Sequence, residues 1–225
     1  MDVKTTVLER YSEGARERQE SLCCPVDYDT GLLKLLPAEI VEKDYGCGDP
    51  SRYVEEGDVV LDLGSGGGKI CYMAAQLVGP EGKVIGVDMN DDMLDLARRH
   101  LPEMTEKLGG ATVEFRKGHI QDLALGLDAV ASYIKRNPIE TLDDFEDFEA
   151  WKRQERRDNP MVKDNSVSLV VSNCVLNLVA NEDRARMIAE IFRVLKPGGR
   201  VAISDIVSDE AVPAHLQKDP HLWSG

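Results

Sequence analysis

The chain has 225 residues, 42% of them hydrophobic, and its 41 acidic against 27 basic side chains leave a net charge of -14. That is enough apolar material for one core needing no staple or metal, while the charge repels polyanions and argues against nucleic acid or an anionic membrane surface as partner. No run of about 18 apolar residues can span a bilayer, and the opening MDVKTTVLERYSEG lacks the basic start and apolar stretch of a signal peptide. The expectation is a cytoplasmic, monomeric protein.

Residues 1–50 read as a helical, cysteine-bearing lead-in, broken by Pro25 and Pro37, that lies across a sheet rather than in it. Residues 51–225 read as one domain in which β-branched runs alternate with helical stretches, the pattern of βαβ units. VVLDLG (59–64) is the first strand, and the helix after it places Ile70, Met73, Ala74 and Leu77 on one face until Gly79-Pro80 stops it. KVIGVDM (83–89) is the second strand, followed by a helix with Asp91 and Asp92 at its start. TVEFRKG (112–118) is the third.

Residues 124–165 read as a solvated helical insertion whose Phe145, Phe148 and Trp151 supply an apolar underside. VSLVVSNC (167–174) is apolar enough for a central fourth strand. The next helix starts at Asn181, packs through Ala185, Ile188, Ala189, Phe192 and Leu195, and ends at Lys196-Pro197-Gly198-Gly199. RVAISDI (200–206) is the fifth strand. Five strands alternating with helices predict an α/β, doubly wound, mostly parallel sheet.

The stretch DLGSGGGKI (62–70) decides among three glycine-loop chemistries. A P-loop would need glycine at Leu63 and a hydroxyl at Ile70, so it fails twice. The dinucleotide fingerprint would need glycine at Lys69, so it fails once. What remains is an acid, Asp62, and alternating glycines Gly64, Gly66 and Gly68, whose bare backbone lets a ligand lie against the turn. Asp88, ending the second strand, is placed to accept ribose hydroxyls. His119, after the third strand, reads as a loop residue before a general base.

DLGSGGG, with Asp88, SNCVLNLV and VLKPGG, resembles the class I S-adenosylmethionine-dependent methyltransferases, which have a Rossmann-like fold. The resemblance implies that S-adenosyl-L-methionine lies against Asp62, Gly64, Ser65 and Gly66. It also implies ribose contacts at Asp88, a border of Met89, Asn90, His119 and Ile120 around the adenine, and a contact from Asn173. SLCCPVD, DYGCGDP and SNCVLNLV add a resemblance to the arsenite methyltransferase family over most of residues 8–225. There Cys47 and Cys174 match arsenic-binding positions and count as catalytic, Cys23 and Cys24 match the N-terminal cysteine region, and Tyr45 would touch the cofactor. The family's further cysteine after the fifth strand has no counterpart in HLWSG, and the last two strands of the usual sheet are missing as well.

Five cysteines, an odd number, argue against a disulfide framework and for reduced thiols, which are soft ligands. Cys71 reads as core. Cys174 alone reads equally as a small buried hydrophobe or a ligand. No histidine has zinc-pair spacing with Cys23 and Cys24, so no metal is expected except arsenic as substrate. The implied function is methyl transfer to trivalent arsenic, presented as arsenite or its thiol conjugates, with a thiol reductant as co-substrate. The alternatives are a methyltransferase for a small organic molecule and a thiol-based arsenite or metal binder without turnover.

Overall fold

The computed structural model describes residues 3–22, 26–213, 216 and 219–223. Helix α1 (Val3–Arg16) and the short α2 (Thr30–Leu33) and α3 (Ala38–Glu42) precede β1 (Val59–Leu63), α4 (Lys69–Val78), β2 (Lys83–Asp88), α5 (Asp91–Arg99) and α6 (Leu101–Lys107). Next come β3 (Thr112–His119), β4 (Asp122–Gly126), α7 (Leu127–Arg136), α8 (Leu142–Asp158), β5 (Val167–Asn173), α9 (Asn181–Val194), β6 (Leu195–Ser204) and α10 (Pro220–Trp223). The six-stranded sheet runs β4-β3-β2-β1-β5-β6, and every pairing is parallel except β3 with β4.

β1 lies between β2 and β5, so both its edges are paired, and its side chains alternate between two cores that cover its faces. Val60 joins Cys71, Met73, Leu94 and Leu169 under α4 and α5, while Leu61 and Leu63 join Ile85, Val170, Met187 and Ile191 under α9. α4 is buried nearly all round, including the stem of Lys69. The lead-in is packed onto the same body: Leu36 and Ile40 belong to the first core, and Tyr45 clusters with Ala15, Leu22 and Met93. Among the described residues no helix is long and apolar enough to cross a membrane.

Four expectations need correction. A sixth strand, β4, occupies the start of the segment read as helical, because Leu123, Ala124 and Leu125 are buried against the otherwise free edge of β3. The chain leaves β3 through an irregular register at Gly118/His119 and returns antiparallel. Within the insertion, Phe148 is buried and stacks with Trp151 and Tyr133, whereas Phe145 is 46% exposed.

α9 has the expected length but turns a different face to the sheet. Met187, Ile191 and Val194 are buried, while Ile188 and Phe192 are 53% and 82% exposed. Both faces are apolar, so periodicity alone could not choose between them. The last strand begins at Leu195, not Arg200, because the Lys196–Gly199 stretch bulges against β5 instead of ending the pairing, with Gly198 at φ 80. The fourth concerns the thiols: Cys47 and Cys174 are joined in a disulfide, 127 residues apart in sequence, while Cys71 is free and buried. A cysteine count cannot see that two distant segments converge.

Candidate active site

The carboxyl ends of β1, β2, β3 and β5 open into one cavity of about 180 Å³, roofed by Lys4, Leu8 and Tyr11 of α1. Open α/β sheets place ligands at this edge. Its floor is the turn from β1 into α4. Gly68, at φ 86, has no room for a side chain, since a Cβ there would stand 2.7 Å from Phe115 Cζ. The Gly64 and Ser65 N–H groups donate to the Val87 carbonyl, and Gly66 N–H donates to Asp88 Oδ2 at 2.9 Å. Asp88 Oδ1 accepts from Asn90 N–H at 2.8 Å. Burial nevertheless raises the Asp88 carboxyl above its usual range, with the backbone N–H groups opposing the rise.

Asp62, 2% exposed, lies beneath the turn and accepts from the Cys71 thiol at 3.3 Å. Burial pushes its carboxyl up to about 7; the thiol opposes this, and the neighbouring Asp88 and Asp44 add to it. Burial also pushes His119 down to about 4, helped by the Lys4 ammonium 2.9 Å from Nε2. A neutral ring that accepts from Lys4 carries its proton on Nδ1. That nitrogen is buried without a partner, as is Ser65 Oγ.

Tyr45, Asp62, Gly64, Ser65 and Gly66 all line this cavity, and so do Asp88, Met89, Asn90, His119 and Ile120. Asn173 and Cys174 line it too. Cys47 reaches its rim only through the bond to Cys174, with the two Cα atoms 5.7 Å apart. Cys23 and Cys24 lie outside the described residues. Asn173, expected at the cofactor, has its amide fully engaged elsewhere: Oδ1 accepts from Cys47 and Gly48 N–H, and Nδ2 donates to the Gly48 carbonyl and Tyr28 Oη. Cys174 also lines a second cavity of about 740 Å³, with Leu22, Arg184, Asp205 and Trp223.

Composition and motif missed three groups. Lys4 and Tyr11 reach the site from α1. Lys69, 5% exposed, pairs with Asp44 at 2.8 Å and lies 3.3 Å over the Tyr28 ring, so the first residue of α4 is tied to the loop bearing Cys47. A lysine directly after Gly68 on a helix with no other charged residue was the available signal, because a buried ammonium needs a partner.

A family model described as a methyltransferase domain matches residues 54–149 and 144–225. The chain belongs to this methyltransferase family. It is 34% identical over 215 residues to an arsenite methyltransferase of Aquipseudomonas alcaligenes, covering 94% of this chain and 52% of the relative. An arsenite methyltransferase of Halobacterium salinarum is 38% identical over 182 residues, covering 80% and 36%. Among solved structures, an arsenic (III) S-adenosylmethionine methyltransferase from Chlamydomonas reinhardtii superposes with a TM-score of 0.63 at 33% identity, covering 88% of this chain and 55% of that one. The methyltransferase chain thus spans about half the length, or less, of these relatives. Its fold is that of the class I S-adenosylmethionine-dependent enzymes.

The cavity fits that cofactor on its own chemistry. Asp44, Asp62, Asp88 and Asp183 line it, which suits a ligand carrying a sulfonium and an ammonium. The partnerless His119 Nδ1 and Ser65 Oγ offer hydrogen bonds to a polar-edged ligand, and Met93 and Ile120 offer apolar wall.

Proposed function

We propose that this methyltransferase transfers a methyl group from S-adenosylmethionine to trivalent arsenic held by the thiolates of Cys47 and Cys174. The observation that carries the reading is the contact between these two sulfurs at the rim of the glycine-turn cavity. When bound, the cofactor supplies an electrophilic sulfonium methyl. Asp88, whose carboxylate accepts from the Gly66, Met89 and Asn90 N–H groups, has a lone pair left for a ribose hydroxyl. Met89, Asn90, His119 and Ile120 would border the base, Tyr45 would touch the cofactor, and Asp62 would face the cationic end.

Arsenic bound to thiolates keeps a lone pair that can attack the methyl carbon. No proton leaves the arsenic, so no general base is required, and a neutral His119 already engaged by Lys4 is not needed as one. The protein's contribution is alignment of lone pair, methyl and leaving sulfur, an effect that can reach about 7–11 kcal/mol. Cys174 borders both cavities, so substrate can enter from the second while the cofactor fills the first. In this reading Cys23 or Cys24 supplies the third ligand.

The disulfide must open before arsenic binds. Two molecules of a thiol reductant give up two electrons and two protons to it, yielding two cysteine thiols and one external disulfide. The working form is a cytoplasmic monomer with small-molecule partners only.

The test incubates the reduced protein with arsenite, a thiol and methyl-labelled cofactor, and follows label into methylated arsenic. Cofactor binding without such transfer refutes the substrate assignment. Arsenite uptake with no cofactor consumed would instead indicate a thiol-based binding protein. Turnover of an organic acceptor that survives Cys174→Ser would indicate a small-molecule methyltransferase.

A further inference from the structure

We propose that Asn173 is the positioning residue for the thiol pair: its amide seats the Cys47 loop on the end of β5, so that Cys47 and Cys174 stand together before any substrate arrives. The inference rests on the reading of these thiols as the arsenic site, but the pairing it concerns is measurable without arsenic.

An asparagine amide has two donors and two acceptor lone pairs. Asn173 uses all four on residues 28–48: Cys47 and Gly48 N–H each donate to Oδ1 at 2.9 Å, and Nδ2 donates to the Gly48 carbonyl at 2.8 Å and to Tyr28 Oη at 3.3 Å. The loop is cut to fit this amide. A Cβ on Gly46 would overlap the Asn173 side chain, and one on Gly48 would overlap Ser204. Gly46 is therefore required by the seating on Asn173, and Gly48 by the approach of the loop to Ser204 on β6.

The next residue completes the arrangement. In a continuing strand, Asn173 and Cys174 would point to opposite faces of the sheet. Cys174 instead has φ 59, a left-handed conformation shared by just one other non-glycine residue, Asn165, among those described. Its N–H donates to the Ser204 carbonyl at 2.8 Å, which pins the turn to β6. Two consecutive side chains thus reach the same three-residue loop, one through hydrogen bonds and one through sulfur. Tyr28 Oη donates to Asp44 at 3.1 Å, and Lys69 donates to the same carboxylate, so the seat is continuous with the start of α4.

The experiment uses the full reduced chain and two variants, Asn173→Ala and Asn173→Asp. The first removes the seat. The second keeps an oxygen for the Cys47 and Gly48 N–H groups but loses the donor to Gly48 and adds a charge near the thiols. Three quantities are read: the Cys47–Cys174 disulfide equilibrium against dithiothreitol, the affinity for phenylarsine oxide, which takes two thiols, and cofactor affinity by calorimetry.

For Asn173→Ala the effective concentration of one thiol toward the other, and phenylarsine oxide affinity, should each fall at least about tenfold, with cofactor affinity within about threefold of the parent. Asn173→Asp should show a smaller fall together with an alkaline shift of the thiolate absorbance. Should the alanine variant not fold, the aspartate variant decides alone. Unchanged pairing in a folded variant overturns the proposal, and so does a fall in cofactor affinity that matches or exceeds the loss of pairing. Failure of the arsenic assignment would look different, as intact pairing with no methylated arsenic.

Discussion

The two halves of the site are built in different ways. The cofactor half, residues 62–70 with 88–90, is a short turn between β1 and α4, held mainly by backbone hydrogen bonds together with the Asp88 carboxylate, and closed over a core in which Leu63, Cys71 and Val87 are fully buried. The thiol half joins residues 46–48 to 173–174 across more than half the chain, and polar side chains hold it: Asn173, Tyr28, Asp44 and Lys69. A backbone turn over a packed core fails when its shape is altered. A seat of side-chain hydrogen bonds fails when one partner is removed, and the rest of the fold survives. The two halves should therefore break separately.

The largest separation is expected from the sulfurs. Cys47→Ser and Cys174→Ser should each reduce arsenite methylation to background in a labelled-methyl assay, with cofactor affinity unchanged within about threefold. Arsenic depends on thiolate ligands, and a serine hydroxyl is too hard and too weakly acidic to replace one. If either variant lost cofactor binding as well, the two halves would be one structural unit.

The converse variant is Gly68→Ala. It places a side chain on a left-handed backbone, 2.7 Å from the Phe115 ring, in a region with no slack. Destabilisation of about 2–4 kcal/mol in urea is expected, with cofactor affinity falling alongside. Dithiothreitol exchange of the Cys47–Cys174 pair, measured well below the unfolding transition, should be close to that of the parent.

These halves were not equally legible in the sequence. The turn is a local pattern whose acid and glycines fall within ten residues, between a strand and a helix, so spacing alone excluded the P-loop and the dinucleotide fingerprint. The two thiols were matched by family resemblance, but their bond and the role of Asn173 depend on contacts across 125 residues or more, and the left-handed turn at Cys174 is pinned to β6, which no local window contains. β4 was hidden because five residues pairing with an edge look like the start of a helix, and the buried face of α9 because Phe192 and Ile191 are equally apolar in sequence. Packing, not periodicity, chose between them.

A pH titration separates the halves by the range in which each responds. Asp62, pushed up to about 7 by burial, is partly protonated at neutral pH, and a cationic ligand beside it favours the ionised form. Binding should lower its pKa and release a proton. Affinity should then weaken as pH falls below about 7, by at most about tenfold per pH unit. Calorimetry in two buffers of different ionisation heat measures the proton directly, and Asp62→Asn should abolish both the release and the slope. The thiol half depends on pH in the same direction but over a higher range, since pairing with arsenic improves as thiols ionise, at about 8.5 for a free thiol.

The smallest expected effect concerns how α1 is held over the cofactor half. Two polar links join it to α5, and they differ in burial. Asn90, 2% exposed, caps α5 by accepting from Met93 N–H and also donates to the Leu8 carbonyl and Ser12 Oγ. Arg16 pairs with Asp92 at 2.9 Å, but its side chain is 70% exposed. An exposed ion pair contributes about 0–1 kcal/mol and is screened by salt, whereas losing a buried cap and leaving its partners unsatisfied costs about 1–3 kcal/mol. Asn90→Ala should therefore weaken cofactor binding and stability together, while Arg16→Ala should change cofactor affinity less than about threefold and not at all in high salt. A larger effect from Arg16 would mean that α1 is held from its end, by charge, and that the cofactor half resembles the thiol half in depending on one side chain.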